Sequence, residues 1–297
     1  MSPSISVVIP TYNRAALVCR AIGSALRQVP PPLEVIVVDD GSSDDTEARV
    51  GAIAGPVRYL RQANGGVSSA RNHGMSVAKG ELICLLDSDD FLAPGALAHV
   101  VAAFGQDPAC GAVFGDTLTV DEQERVLRRH GHRHLADDQG RVLLARLFEG
   151  RFALGSNFCF RRSLLSTVAP FDTGLATGED IDFGLRIAAA APVRHLEAEL
   201  VNITTSPGSL STRINTGNRL RVLDKFEREH PALARQHAHA LTLARARTAL
   251  AYARDLTVAR RLPEAAEKAW LAWRLAPSRE VALQLAKIGL LRAMPRR

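Results

Sequence analysis

The stretch that most constrains this chain is Gly80 to Asp90, Gly-Glu-Leu-Ile-Cys-Leu-Leu-Asp-Ser-Asp-Asp. Leu82 to Leu86 is an unbroken apolar run of strand length, the pattern of a strand covered on both faces of a sheet. It stops at three carboxylates, Asp87, Asp89 and Asp90. Like charges at the end of a buried strand repel one another and are poorly solvated, so positive charge is expected beside them. Their oxygens are hard donors suited to Mg²⁺ or Mn²⁺. Open α/β sheets bind ligands beyond the carboxyl ends of their strands, where this cluster falls. A solvated acidic turn capping the next helix is the plainer reading of the same residues.

The preceding chain repeats this construction. Ile5 to Ile9 and Leu33 to Val38 are apolar strands, and Val57 to Leu60 is a third. Between them, Ala15 to Gln28 carries Leu17, Val18, Ala21, Ile22, Ala25 and Leu26 at helical spacing, and a second helix starts near Asp44. Asn64 to Asn72 is a glycine turn leading into a helix that ends at Gly80. Such alternation predicts βαβ units and a mostly parallel, Rossmann-like sheet flanked by helices. The first two strands end in Pro10-Thr11-Tyr12-Asn13-Arg14 and Asp39-Asp40-Gly41-Ser42, so Tyr12, Arg14, Asp39 and Asp40 gather at the same edge as Asp87. Neither Gly-x-Gly-x-x-Gly nor Gly-x-x-x-x-Gly-Lys-Ser/Thr occurs, which argues against dinucleotide enzymes and P-loop ATPases. A diphosphate bound here would need metal and Arg71 to neutralise it.

Four motifs in register, Val7 to Arg14, Val37 to Ser42, Ala70-Arg71-Asn72 and Leu86 to Asp90, resemble those of family 2 inverting glycosyltransferases. The likeness covers Ser4 to Ser211 and is densest before Leu92. It implies a GT-A fold, a nucleotide-sugar donor and a divalent metal, Mn²⁺ or Mg²⁺. By that resemblance Thr11, Tyr12, Arg14 and Asp40 face the nucleobase, Arg71 the phosphates and Asp87 the ribose side. Pro10, Asp39 and Ser88 line the same donor site, and Asp89 and Asp90 are the metal ligands. UDP is the family's commonest carrier, with dTDP and GDP also compatible. The acceptor it implies is a glycan or a lipid-linked hydroxyl, in cell-surface polysaccharide or lipopolysaccharide synthesis.

A second acidic constellation lies at Gly178-Glu179-Asp180, where a helix begins with Ile181, Leu185 and Ala188 along one side. Asp180 falls in the first turn, where the helix dipole favours its ionised form. Inverting transfer needs a carboxylate that takes the acceptor hydroxyl's proton, and the resemblance assigns that role to Asp180, with Glu179 on the acceptor side. A helix cap is the bland alternative. Ser206-Pro207-Gly208-Ser209-Leu210-Ser211 resembles the family's loop over the diphosphate, where Ser206 stands in place of a frequent histidine.

Composition divides the chain. Arg213 to Arg297 holds 18 Lys and Arg against 7 Asp and Glu, a net +11, and leaves residues 1–212 at −5. This predicts a catalytic domain over 1–212 and a basic, all-helical extension over 213–297. In the extension Ala253, Ala265, Ala272 and Pro277 have the spacing of one tetratricopeptide-like hairpin, which must pack on something to bury its face. Val281 to Arg297 is amphipathic and basic; it either rests on an anionic membrane surface or docks on the protein with its basic side solvated. Scarcity of aromatics in the basic stretches argues against nucleic acid. No apolar run spans a membrane and no secretory signal is seen, so a cytoplasmic protein with four buried free thiols is expected, peripheral to the inner membrane face if the last helix binds lipid. A homo-oligomer is compatible with the unassigned helical surface.

Asp116 to Gly140, rich in charge and histidine, reads as a flexible basic loop rather than a metal cluster at His130, His132 and His134. Three other readings fit these residues less well. A nucleotidyltransferase would carry a glycine-rich loop after the first strand. A processive synthase would add membrane helices. The non-enzymatic rival is a nucleotide-sugar-binding or scaffolding protein acting through its tail, and the presence of both carboxylate sites counts against it.

Overall fold

In a computed structural model, the structure describes residues 2–149, 158–205 and 216–293. The chain forms two compact units, Met1–Leu143 with Phe152–Ser209, and Leu144–Arg151 with Leu210–Arg297. The Ser206 to Ser211 loop lies outside the described residues.

The first unit is built on one nine-stranded sheet. Strands β1 (Ile5–Thr11), β2 (Glu34–Asp39) and β4 (Leu82–Leu85) are buried along their whole length; the polar Ser6 and Glu34 within them are hydrogen-bonded to each other at 2.8 Å. With β3 (Val57–Arg61) they form a parallel array in the order β3-β2-β1-β4. Its register aligns Thr11 with Asp39, so the polar residues after each strand emerge at one edge. One face is covered by α1 (Ala15–Leu26) and α4 (Ala96–Gln106), which bury Val18, Ile22, Leu97 and Val100 against Val7, Ile9 and Val37. Helix α3 (Val67–Val77) lies close over the opposite face: a Cβ at Gly74 would collide with the Val8 side chain.

Beyond β4 the sheet becomes mixed. β8 (Phe158–Arg161) runs antiparallel to β4 and to β6 (Ala112–Val120), while β9 (Val193–Thr204) runs parallel to β6 and carries the two-residue β5 (Phe91–Leu92) at its edge. Helix α6 (Glu179–Ala190) is anchored by Phe183, whose ring stacks on Phe171 at 4.3 Å and meets Phe160 edge-on at 5.4 Å.

Two expectations are corrected here. Asp116 to Gly140 is not a flexible loop: β6 continues to Val120 and hairpins into β7 (Val126–His130). His130 bonds Thr119 across the hairpin, and His132 packs edge-on against the rings of Phe114 and His195. Burial holds His132 at about 4, so it is neutral at physiological pH. Nor are all four thiols free. Cys84 and Cys159 face each other across β4 and β8 with Cα atoms 4.2 Å apart and are joined in a disulfide, which leaves Cys19 and Cys110. Sequence spacing misses the pair because the partners are 75 residues apart.

The second unit is helical: α5 (Leu144–Glu149), α7 (Thr216–Glu229), α8 (Pro231–Gln236), α9 (Ala238–Val258), α10 (Leu262–Leu275) and α11 (Arg279–Ala293). Ala253, Ala265 and Ala272 are fully buried, letting α9 and α10 pack closely. The described part of α11 turns Val281, Leu285 and Ile288 onto these two helices. The hairpin thus buries its face within its own unit. Among the described residues, no helix is long and apolar enough to cross a membrane.

Candidate active site

The loop after β1 is shaped by side-chain bonds to the loop after β2. Asn13 adopts a positive φ of 50°; its N–H donates to Ser42 Oγ at 2.8 Å, and its Oδ1 accepts the Ser43 N–H at 2.8 Å. This turn carries Tyr12, 48% exposed, and Arg14. Behind them Pro10 is buried in β1, and the buried Thr11 Oγ1 has no hydrogen-bond partner among the described residues.

The two aspartates after β2 accept hydrogen bonds from within the protein. Asp39 is fully buried and accepts the Ser42 N–H at 2.7 Å and the Tyr59 hydroxyl. Burial and the nearby Asp39 carboxylate push the Tyr59 phenol's pKa up. Asp40 accepts from Gln62 Nε2 and from the backbone N–H groups of Gly65 and Gly66, all within 2.7–2.8 Å. Gly66, at φ +85°, is the N-cap of α3, so Asp40 clamps the turn that launches the helix bearing Arg71.

At the end of β4 each acidic residue has a distinct environment. Asp87 accepts from Arg71 Nη2 at 2.7 Å, and Ser88 is buried. Asp89 pairs with Arg14 at 2.6 Å; its backbone carbonyl accepts from Arg20, which also reaches Thr204 Oγ1. Burial and the neighbouring Asp87 charge raise the Asp89 pKa, and Arg14 opposes them. Asp90 points inward, accepting the Thr204 N–H at 3.0 Å.

Arg71 joins this cluster to the second one. Its side chain is 4% exposed; Nη2 meets Asp87 while Nη1 donates to Glu179 Oε1 at 2.9 Å, 108 residues away in sequence. Burial would weaken its hold on its proton, but Asp87 and Glu179 more than offset that. Asp180, next along α6, is pushed up to about 6 by burial and by Glu179, against the pull of Arg71. Such a carboxylate is mostly ionised at pH 7 yet holds a proton far better than a solvated aspartate, which suits a general base.

The model of the family described as "Glycosyl transferase family 2" matches residues 6–168, more than half of the chain. The chain belongs to glycosyltransferase family 2. This family 2 glycosyltransferase is 31% identical over 239 residues to an uncharacterized protein of Mycobacterium tuberculosis, covering 74% of this chain and 75% of that one. It is 28% identical over 197 residues to the chondroitin synthase of Escherichia coli, covering 65% of this chain and 28% of the synthase. It spans 36% of the length of the uncharacterized glycosyltransferases of Rickettsia felis and Rickettsia conorii that it matches. Its fold is that of the mannosyltransferase PcManGT from Pyrobaculum calidifontis, solved with GDP-Man and Mn²⁺: TM-score 0.63, 23% identity, 99% of this chain and 81% of that one.

Arg71 thus bridges Asp87 and Glu179, Arg14 pairs with Asp89, and Asp180 feels the charges of Glu179, Arg71 and Asp87, while Asp39, Asp40 and Asp90 accept internal hydrogen bonds. Sequence reasoning gave no role to Tyr59, Gln62, Asn72 or Arg20, which hold these residues in place. Only Asn72 had a signal, its position beside Arg71 in the Ala-Arg-Asn triplet.

Proposed function

We propose that this family 2 enzyme transfers a sugar, with inversion, from a nucleoside-diphosphate sugar to a hydroxyl of a glycan or lipid-linked acceptor in surface-polysaccharide synthesis. The observation that carries the proposal is the buried Arg71 bridge between Asp87 and Glu179, which sets the base candidate Asp180 beside the carboxylates after β4. Donor binding falls to the edge where β1, β2 and β4 end. Tyr12 offers an exposed ring and Thr11 Oγ1 an unused polar atom for the nucleoside, and Arg14 and Arg71 offer positive charge for the diphosphate.

A divalent cation, Mn²⁺ or Mg²⁺, fits the donor set at one residue in particular. Asp89 is a hard oxygen donor paired with Arg14, its pKa raised by burial and then by the Asp87 charge, whereas Asp90 is engaged by the Thr204 amide. Asp89 would hold the ion, which when bound supplies charge stabilisation for the departing diphosphate. Asp180 takes the proton of the attacking hydroxyl, and burial together with Glu179 keeps its proton affinity high. Arg71 holds the two halves of the site together. UDP is the favoured carrier from the family resemblance; the solved mannosyltransferase with GDP-Man keeps GDP as an alternative. Val281, Leu285 and Ile288 of α11 pack within its own unit while Leu283 and Leu290 are exposed, and contact of that helix with a membrane forms no part of the proposal.

The test is calorimetric titration with UDP, dTDP and GDP, with and without Mn²⁺, using Asp89→Ala as control. Metal-dependent binding of one nucleotide, lost in the variant, is expected. Absence of binding by all three would overturn the reading.

A further inference from the structure

Asn72 lies in α3 directly after Arg71, and its side-chain amide is paired with the backbone of Phe171, 99 residues away. Nδ2 donates to the Phe171 carbonyl at 2.9 Å, and Oδ1 accepts the Phe171 N–H at 2.8 Å. Two opposed hydrogen bonds from one planar group fix the rotation as well as the position of the segment they hold, which a single bond does not.

Phe171 is the point where three parts of the site meet. Its ring stacks on Phe183 of α6 at 4.3 Å and 21°, and the Arg71 guanidinium lies 5.2 Å from its centre. From Phe171 the chain makes a tight turn, with Gly174 N–H bonded to Asp172 Oδ1 and Leu175 N–H to Asp172 O. It then reaches Gly178, whose φ of +80° starts α6. Helix α3 is thus tied to the start of α6 twice: through Arg71 to Glu179, and through Asn72 to Phe171.

We propose that Asn72 is a positioning residue for Asp180, its amide setting where α6 begins relative to the carboxyl end of β4. The inference rests on the reading of Asp180 as base. Asp180 owes its proton affinity to burial and to its distances from Glu179, Arg71 and Asp87, all of which change if Phe171 shifts. A base misplaced by about 1 Å costs on the order of a hundredfold in rate. A residue that only stabilised the fold would lower the melting temperature and leave Asp180 as it was.

The experiment is a ¹³C-carboxyl NMR titration of the full chain as wild type, Asn72→Ala, Asn72→Asp and Asp180→Asn. The resonance missing from Asp180→Asn is that of Asp180. In folded Asn72→Ala its midpoint should fall by about one unit toward that of an ordinary aspartate, a tenfold change in proton affinity. Asn72→Asp, which sets a carboxylate oxygen against the Phe171 carbonyl, should shift it in the same sense. An unchanged Asp180 midpoint in either folded variant overturns the inference, as does failure of both variants to fold, which would make Asn72 a residue of the fold alone. The functional reading fails separately, if Asp180→Asn releases nucleoside diphosphate from UDP- and GDP-sugars as fast as wild type does.

Discussion

Replacing Asp180 with asparagine should abolish transfer and stabilise the catalytic unit, and the pH dependence of the second effect is specific. Folded Asp180 keeps its proton up to about pH 6, against an ordinary value of 3.8. Between those values the folded protein binds more protons than the unfolded chain, so stability declines as pH rises through that window and levels off above it. About two units correspond to roughly 3 kcal/mol, an upper bound on the cost of the ionised carboxylate. Asparagine has nearly the same shape and no charge; it removes the repulsion from Glu179 and Asp87 and can still accept from the Ile181 N–H. For a unit of this size 1 kcal/mol moves the melting temperature by about 2–4 °C. Asp180→Asn should therefore melt roughly 3–8 °C higher than wild type at pH 8 and within about a degree of it at pH 4, followed by circular dichroism. The wild-type rate should fall about tenfold per pH unit below about pH 6 as the base is protonated. A variant no more stable than wild type at pH 8, or equally stabilised at pH 4, would refute the reasoning.

Other substitutions separate roles within the network. Arg71→Ala strands Asp87 and Glu179 without their buried counter-charge and should cost about 3–5 kcal/mol in urea unfolding, with Arg71→Lys recovering only part because one ammonium does not span both carboxylates as a guanidinium does. Tyr59→Phe leaves Asp39, fully buried, short of one hydrogen bond and should cost about 1–3 kcal/mol in the same assay. Asp89→Ala should lose Mn²⁺-dependent nucleotide binding by calorimetry while keeping its melting temperature. Asp90→Ala, which orphans the Thr204 amide, should do the reverse, losing about 1–3 kcal/mol of stability and keeping metal dependence.

Sequence alone determined what depends on neighbours a few residues apart. The apolar runs at Ile5, Leu33 and Leu82, each followed by polar residues, specify buried parallel strands whose ends share an edge, because side-chain periodicity and strand burial are local properties. The start of α6 at Glu179 was legible for the same reason. Strands β8 and β9 were not, since their partners lie far along the chain and their register is set by packing. Tertiary structure decided what each carboxylate does. Sequence marks Asp39 and Asp40 as donor-site residues but not their internal partners, Tyr59, Gln62, Gly65 and Gly66, which the fold brings within reach and which desolvation makes valuable. Asp89 and Asp90 are adjacent in sequence, but their side chains diverge: Asp90 is capped by the Thr204 amide of β9 and Asp89 faces Arg14. The bridge from Asp87 through Arg71 to Glu179 joins groups far apart in sequence; it exists because a guanidinium buried between two carboxylates is far more stable than any of the three buried alone.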